Sequence, residues 1–123
     1  MPYRISFIML AVLVRTWTSD AEAQDSLECL AKLRVVAQRV LNLSSFRFID
    51  RATGHEFEST SDAPSSTELA LSSPYVDWRY WNGVLNIAML QAGEALSDSA
   101  CLRFPLNNIA FSFDNYPYFE HRY

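Results

Sequence analysis

The residues with the clearest chemical potential lie together in an aromatic segment, residues 73–83. This segment, SPYVDWRYWNG, places four aromatic side chains within eleven residues and ends in an asparagine and a glycine. Aromatic ring faces stack on the apolar C–H surfaces of sugars, and tyrosine and asparagine side chains add hydrogen bonds. The segment leads directly into a predicted helix. The pattern is therefore suited to a sugar-binding site at a helix N-terminus.

Other reactive residues do not form a recognisable site in the sequence. Cys29, Cys101, His55 and His121 lack the spacing of a metal centre, so we predict no metal site. A glycine-rich dinucleotide loop and a P-loop are both missing, and we predict no cofactor. An oxidising compartment would permit a disulfide between the two cysteines, whereas their apolar helical surroundings favour buried free thiols. The sequence favours the second alternative.

The first elements expected after the N-terminal region are a helix and a β-hairpin. Apolar residues recur at intervals of three and four over residues 26–43, which predicts one buried helical face. That face consists of Leu27, Leu30, Leu33, Ala37, Val40 and Leu41. Phe46, Phe48 and Phe57 then alternate with polar residues around the turn sequence of residues 50–54, in which Gly54 can adopt positive φ. Residues 59–73, rich in Ser, Thr and Pro, are predicted to form a long surface loop.

Two further helices complete the predicted fold. Residues 81–96 carry a single charge near their end, which predicts a helix buried nearly all round. Residues 99–113 form the next helix, with Asp98 as N-cap, Pro105 about one turn in and a predicted end at residues 114–117. Its predicted inward stripe is Leu102, Leu106, Ile109, Ala110 and Phe113. The two helices form an αα-hairpin, and the fold class is mainly α with a small β-hairpin excursion.

The N-terminus has the three regions of an export signal. Arg4 precedes an apolar run of ten residues, 5–14, which is too short to span a bilayer, and Ala21-Glu22-Ala23 matches a peptidase site before Gln24. We therefore predict a signal peptide over residues 1–23 and a mature domain over residues 24–123, secreted or periplasmic. The formal net charge of −4 argues against nucleic acid as a partner. No membrane association is expected after cleavage.

The aromatic segment and the helices that follow it resemble a known family. WRYWNGV (78–84), GEALSD (93–98) and FSFDN (111–115) look like the front of glycoside hydrolase families 88 and 105, the unsaturated glucuronyl and unsaturated rhamnogalacturonyl hydrolases. The hairpin that runs from FRFID (46–50) to Glu58, followed by Ser73-Pro74-Tyr75, resembles the exported members. The resemblance covers roughly residues 27–123. It implies that residues 24–123 are the N-terminal, truncated part of an (α/α)6 barrel, of which this chain supplies the first helices.

The resemblance also implies a substrate and a reaction. The family hydrates the 4,5 double bond of a terminal unsaturated uronic acid, with an aspartate as general acid and base, and the unstable product then releases the next sugar. The partner would be an oligosaccharide with such a terminal residue. By position in the W-x-Y-x-N-G match, Trp78, Tyr80 and Asn82 are the candidate substrate-binding residues.

Structural alternatives exist for each candidate. Trp78 and Tyr80 either contact the sugar or pack the barrel rim, and Asn82 either contacts the sugar or caps its helix. Gly83 is expected to permit close helix packing. The family's catalytic aspartates lie in later helices, so no catalytic residue is assigned here; Asp77 and Asp114 are better explained by a turn and a helix end. This part alone is expected to be inactive. The alternative function is a small exported α-helical binding or structural module without catalysis.

Overall fold

A computed structural model of the chain describes the backbone of residues 3–122 and the side chains of residues 22–122. It divides into two compact units, Met1–Leu33 and Arg34–Tyr123. The fold is mainly helical with a small antiparallel sheet. Its elements are α1 (Tyr3–Leu43), β1 (Phe48–Asp50), β2 (Glu56–Phe57), β3 (Leu69–Leu71), α2 (Tyr80–Leu96), α3 (Ser99–Asp114) and α4 (Tyr116–Glu120), with 3₁₀ turns at Thr60–Asp62 and Pro74–Val76.

Helix α1 contains the first helix predicted from the sequence. Its end at Leu43 matches the prediction, and Ala37 and Val40 of the predicted face are buried, whereas Leu27 is exposed. The predicted signal peptide, residues 1–23, lies outside the residues with described side chains except for its last two. Within the described part of the chain, no helix combines the length and apolar character needed to cross a membrane.

The sheet has three strands in the order β2-β1-β3, all antiparallel. The predicted hairpin is confirmed as β1 and β2, and Gly54 in its turn has a φ of +74°. The prediction of a plain loop over residues 59–73 is wrong, because β3 pairs Leu71 with Phe48 on the other edge of β1. Leu69 and Leu71 alternate with Ala70 and pack on the core, a strand period hidden in a serine-rich segment.

A core of aromatic side chains joins the sheet to the helices. Phe48, Val76, Phe111 and Phe119 form its buried centre. The rings of Phe48 and Phe111 are stacked with centroids 5.1 Å apart, and Phe119 meets Phe111 edge-on at 6.2 Å. Phe119 belongs to α4, a short helix that the sequence did not predict. Pro117 falls in its first turn, where the missing N–H leaves no hydrogen bond unmade.

Helices α2 and α3 form the predicted αα-hairpin. Ser97 ends α2 in the left-handed conformation at φ 52°, and the Asp98 carboxylate accepts hydrogen bonds from Ala100 N and Cys101 N. Close packing depends on Gly93, since a Cβ there would lie 2.7 Å from the Leu102 side chain. The expectation that Gly83 has this role is wrong, because a Cβ at Gly83 meets no atom within 4 Å.

The faces that these two helices bury differ from the prediction. Helix α2 buries Met89, Ala92, Gly93 and Leu96, and α3 buries Cys101, Phe104, Pro105, Asn108, Phe111 and Ser112. The predicted inward stripe of α3 is instead mostly exposed, with Leu106 67% accessible. Both faces of α3 are apolar, and the one that carries Phe104 and Phe111 packs inward because those rings meet Phe46 from the other side. Helix α2 likewise leaves its Val84 and Ile87 side exposed.

Candidate functional site

The site predicted from the aromatic segment is built on the 3₁₀ turn Pro74–Val76 and the first turn of α2. Ser73 begins the 3₁₀ turn, since its hydroxyl accepts from Tyr75 N at 3.3 Å and donates to Leu43 O at 2.8 Å. Val76 is fully buried and anchors the turn in the core. The chain then enters α2 with Arg79 at the N-cap position, where no side chain caps the helix. The following aromatic residues are thereby held at the N-terminus of α2.

Asn82 fixes the path of the chain into α2. Its side-chain nitrogen donates to the carbonyl oxygens of Pro74, at 3.0 Å, and Asp77, at 2.7 Å. Both carboxamide N–H groups therefore bind backbone of the preceding turn. Asn82 does not occupy the N-cap position. Because both of its donors bind backbone carbonyls, a structural role is favoured over hydrogen bonding from these donors to a ligand.

Trp78 and Tyr80 present large aromatic surfaces to solvent. Trp78 is 47% exposed and contacts the ring of Phe113 edge-on, with centroids 5.7 Å apart. Tyr80 is 77% exposed and is held at 5.4 Å against the edge of Trp81. An edge-to-face contact occupies at most one face of a ring, and exposed ring faces are the surfaces on which sugars stack.

These side chains border a cleft between α2 and α3, here named the aromatic cleft. It has a volume of about 480 Å³. Its lining consists of Asp77, Trp78, Arg79, Tyr80, Asn82, Gly83, Asn86, Ile87, Asn108, Ile109 and Ser112. The structure thus brings all three predicted site residues to one cleft, with apolar and amide groups beside them. Ligand sites are concave and mostly apolar with a few placed polar groups, and the aromatic cleft has this composition.

The polar part of the aromatic cleft comes from residues that sequence reasoning missed. Asn108 is buried and donates from its side-chain nitrogen to Asn86 Oδ1 at 3.0 Å and to Tyr75 O at 3.3 Å. Ser112 donates to Asn108 O at 2.9 Å. This pair uses only the side-chain oxygen of Asn86, a residue that lines the cleft. The sequence signal that could have revealed this polar group is the four-residue spacing of Asn108 and Ser112 on a helix face that also carries Phe104 and Phe111.

The acidic residues near the cleft are engaged in other contacts or lie outside it. Asp77 is largely buried, and its Oδ2 lies 2.9 Å from Arg79 Nε and 4.0 Å from a terminal nitrogen of Arg122. Asp114 is exposed at the last residue of α3 and is not part of the lining. The structure therefore places neither carboxylate as a candidate proton donor over the cleft.

The cysteines and histidines do not contribute to the aromatic cleft. Cys101 is a buried free thiol, and burial, together with the nearby Asp98 carboxylate, raises its pKa. Cys29 is also free but exposed, so the expectation of two buried thiols holds for one of them. His55 packs edge-on against Phe57 at 4.7 Å. Among residues 22–122, whose side chains the structure describes, no three His, Cys, Asp or Glu side chains cluster as a metal centre.

Known proteins do not assign a family or a function to this chain. No protein-family model, no curated protein and no solved structure matches this chain.

Proposed function

We propose that the chain is the N-terminal part of an exported glycoside hydrolase that acts on oligosaccharides ending in an unsaturated uronic acid. The aromatic cleft carries this proposal, because it combines exposed rings with amide donors at the N-terminus of a helix. The proposal also depends on the resemblance of the W-x-Y-x-N-G sequence to glycoside hydrolase families 88 and 105. This sequence supplies Trp78, Tyr80 and Asn82 of that cleft.

The chemistry of the cleft suits one sugar ring with an acidic group. Trp78 and Tyr80 offer ring faces for stacking, and Asn86 offers a side-chain donor for a hydroxyl group. The N-terminus of α2 carries partial positive charge, which favours a uronate carboxylate. A volume of about 480 Å³ is within the usual range of small-ligand sites. In this proposal Asn82 acts mainly by holding the turn that presents the two rings.

Exposed apolar faces support the second part of the proposal, an (α/α)6 barrel. Helix α2 exposes Val84, Ile87 and Leu90, and α3 exposes Leu106 and Ile109. Soluble monomers rarely leave contiguous apolar faces of this kind uncovered. In an (α/α)6 barrel each helical hairpin packs between neighbouring hairpins, so further helices would cover these side chains. We propose α2 and α3 as early helices of such a barrel.

The proposed reaction is hydration of the 4,5 double bond, with the proton supplied by an aspartate. Asp77 lines the cleft but pairs with Arg79, and Asp114 lies outside the cleft, so we assign the proton-donating aspartate to neither of them. The role proposed for this chain is therefore to bind and orient the sugar. Alone, it is expected to lack hydrolase activity.

A second candidate function is an exported α-helical binding module without catalysis. It is favoured by the internal completeness of the hydrogen bonding, since within the described part of the chain every buried side-chain nitrogen and oxygen has a partner. A sugar-stacking cleft without a positioned acid is what such a module needs.

A binding titration separates these proposals. The chain is titrated with an unsaturated digalacturonate and with its saturated counterpart, while tryptophan fluorescence is followed. Tyr80→Ala should weaken binding about tenfold or more, since stacking on an aromatic ring contributes on the order of 1 kcal/mol and the hydroxyl adds a hydrogen bond. Tyr116→Ala removes another exposed tyrosine ring, one that lies outside the cleft, and is the control.

The outcomes differ between the two functions. Preference for the unsaturated sugar, lost in Tyr80→Ala and kept in Tyr116→Ala, supports the hydrolase. Equal affinity for both sugars with the same dependence on Tyr80 supports the binding module. Absence of binding to either sugar contradicts both.

Export is a separate part of the proposal and has its own test. Expression of the whole chain with an intact secretion pathway should yield a product whose N-terminal residue is Gln24. Recovery of the uncleaved chain from the cytoplasm would contradict a signal peptide over residues 1–23.

A further inference from the structure

A second cleft, here named the arginine cleft, lies beside the aromatic cleft and has a volume of about 490 Å³. The two clefts share Asp77, Arg79 and Asn82 in their linings. The arginine cleft extends in the other direction along the chain, to the β3 strand and to the end of α4. Its remaining lining is Arg51, Ala70, Leu71, Ser73, Pro74, Trp81 and Arg122.

Three arginines from distant parts of the sequence line this cleft. Arg51 belongs to the hairpin turn, Arg79 precedes α2, and Arg122 follows α4. The chain has nine arginines and a formal net charge of −4, so three arginines at one cleft form a local excess of positive charge. Asp77 is the one carboxylate in the lining. Glu68 pairs with Arg51 from outside the lining, so two carboxylates face three guanidinium groups and a net positive charge remains at the cleft. This local charge favours an anion, whereas the chain as a whole repels one.

Arg51 is the arginine best placed to exchange its present partner for a ligand. Its Nη1 lies 3.2 Å from Glu68 Oε1, and both side chains are more than half exposed. An exposed ion pair of this kind contributes little to stability, because water screens it and two long side chains must be ordered. A guanidinium has five N–H donors in a planar fork that matches carboxylate and sulfate oxygens. A bound anion can therefore replace or share the contact with Glu68.

Trp81 gives the arginine cleft an apolar wall. Its side chain is 74% exposed, and the edge contact with Tyr80 restrains the ring while leaving a face open. Indole faces stack on sugar rings, and guanidinium groups bind the acidic substituents of those rings. The two groups together fit a charged saccharide better than either a free inorganic anion or a neutral sugar.

We propose that the arginine cleft binds the carboxylate or sulfate group of an acidic saccharide whose ring stacks on Trp81. For the class of ligand this proposal depends on the proposed function, and it adds a second sugar position next to the aromatic cleft. A chain of acidic sugar residues could then occupy both clefts, which share Asp77, Arg79 and Asn82.

The test uses the whole chain and isothermal titration with four probes: trigalacturonate, neutral galactotriose, sulfated galactotriose and free galacturonate. Trigalacturonate should bind about tenfold tighter than galactotriose, and the difference should shrink as salt is raised, because exposed charges are screened. Arg51→Gln should remove most of that difference, and Arg51→Lys should restore part of it. Comparison of the carboxylated and sulfated sugars identifies which acidic group the cleft prefers.

Arg47→Gln is the matched control for these variants. Arg47 is similarly exposed and pairs with Glu56 at 3.1 Å in the same sheet, but it does not line the arginine cleft. Circular dichroism of each variant checks that the fold is kept. Arg47→Gln should bind all four probes as the unchanged chain does.

The outcomes separate this inference from the proposed function. Equal binding of the acidic and neutral trisaccharides, unaffected by Arg51→Gln, overturns the arginine cleft and leaves the sugar-binding function standing. Binding of free galacturonate that depends on Arg51, without binding of any trisaccharide, supports the anion site and contradicts the proposed function. No binding of any acidic probe overturns the arginine cleft.

Discussion

The packing of α2 against α3 can be tested by adding one methyl group at Gly93. A Cβ at this position would lie 2.7 Å from both Cγ and Cδ2 of Leu102 and 2.9 Å from its backbone nitrogen. Non-bonded carbon atoms are most stable about 3.5–4.0 Å apart. The leucine side chain can rotate away, but the backbone nitrogen moves only if α3 moves. Gly93→Ala therefore forces the two helices apart.

The size of the effect follows from two opposing terms. Alanine is about 1 kcal/mol more favourable than glycine inside a helix, which stabilises the variant. Overpacking a close contact costs about 1–3 kcal/mol. Gly93→Ala should therefore change the free energy of unfolding by roughly 0 to −2 kcal/mol. At Gly83, where a Cβ meets no atom within 4 Å, only the first term acts, and Gly83→Ala should stabilise by about 1 kcal/mol.

Thermal unfolding followed by circular dichroism measures the difference. For a domain of this size, 1 kcal/mol corresponds to roughly 4–8 °C in Tm. We expect Gly83→Ala to melt above the unchanged chain and Gly93→Ala to melt at or below it, with roughly 4–24 °C between the two variants. Equal melting temperatures for the two variants would refute the close packing described at Gly93.

Three further predictions concern a buried amide, the two thiols and one carboxylate. Asn115 is buried, and its side chain accepts a hydrogen bond from Thr60 N and donates one to Phe111 O, both at 2.9 Å. Asn115→Ala should therefore lower the free energy of unfolding in urea by about 2 kcal/mol. An unchanged urea midpoint would contradict this. In the native chain iodoacetamide should modify the exposed Cys29 and spare Cys101, whose pKa is raised by burial, and equal rates would show that Cys101 is accessible. The Thr53 hydroxyl lowers the pKa of Asp50 by donating a hydrogen bond to its carboxylate. The contribution of this hydrogen bond to the free energy of unfolding is therefore present above the unfolded pKa of Asp50. It is lost as pH falls through the lower folded pKa. Thr53→Val should raise that pKa in an NMR titration, and an unshifted titration curve would exclude the hydroxyl as its cause.

The helical hairpin was predictable because its signals are local. Asp98 can satisfy the first N–H groups of α3 only if the helix begins at residue 99, and the two-residue connection follows from that cap. The hairpin turn was predictable for the same reason, since Gly54 readily adopts positive φ. Strand β3 was missed because its three residues are stable only when paired with β1, a contact with a partner about twenty residues away.

The buried faces were not predictable from apolar periodicity alone. Helix α3 has two apolar faces, and the choice between them depends on Phe46 and Phe48, which lie outside the helix. Likewise, the sequence does not distinguish Gly83 from Gly93, because the difference is the position of Leu102 on another helix. These features are set by tertiary packing and not by local preference.

The candidate site was predictable in its members but not in all their roles. The aromatic segment gave Trp78 and Tyr80, and the structure brings both to one cleft with Asn82. The carboxamide hydrogen bonds of Asn82 depend on the path of the preceding turn and could not be inferred from its type. Asn86 and Asn108 enter the site only because α2 and α3 pack side by side.

The most direct test of a uronide-binding site in the aromatic cleft is to map the bound sugar on the chain. We would record two-dimensional NMR spectra of the isotope-labelled chain during titration with unsaturated digalacturonate. We expect the largest shifts at the Trp78 indole N–H and at the side-chain amides of Asn86 and Asn108, three residues that line the aromatic cleft. Shifts confined to residues outside both clefts, or no shifts at saturating sugar, would contradict a uronide-binding site at the N-terminus of α2.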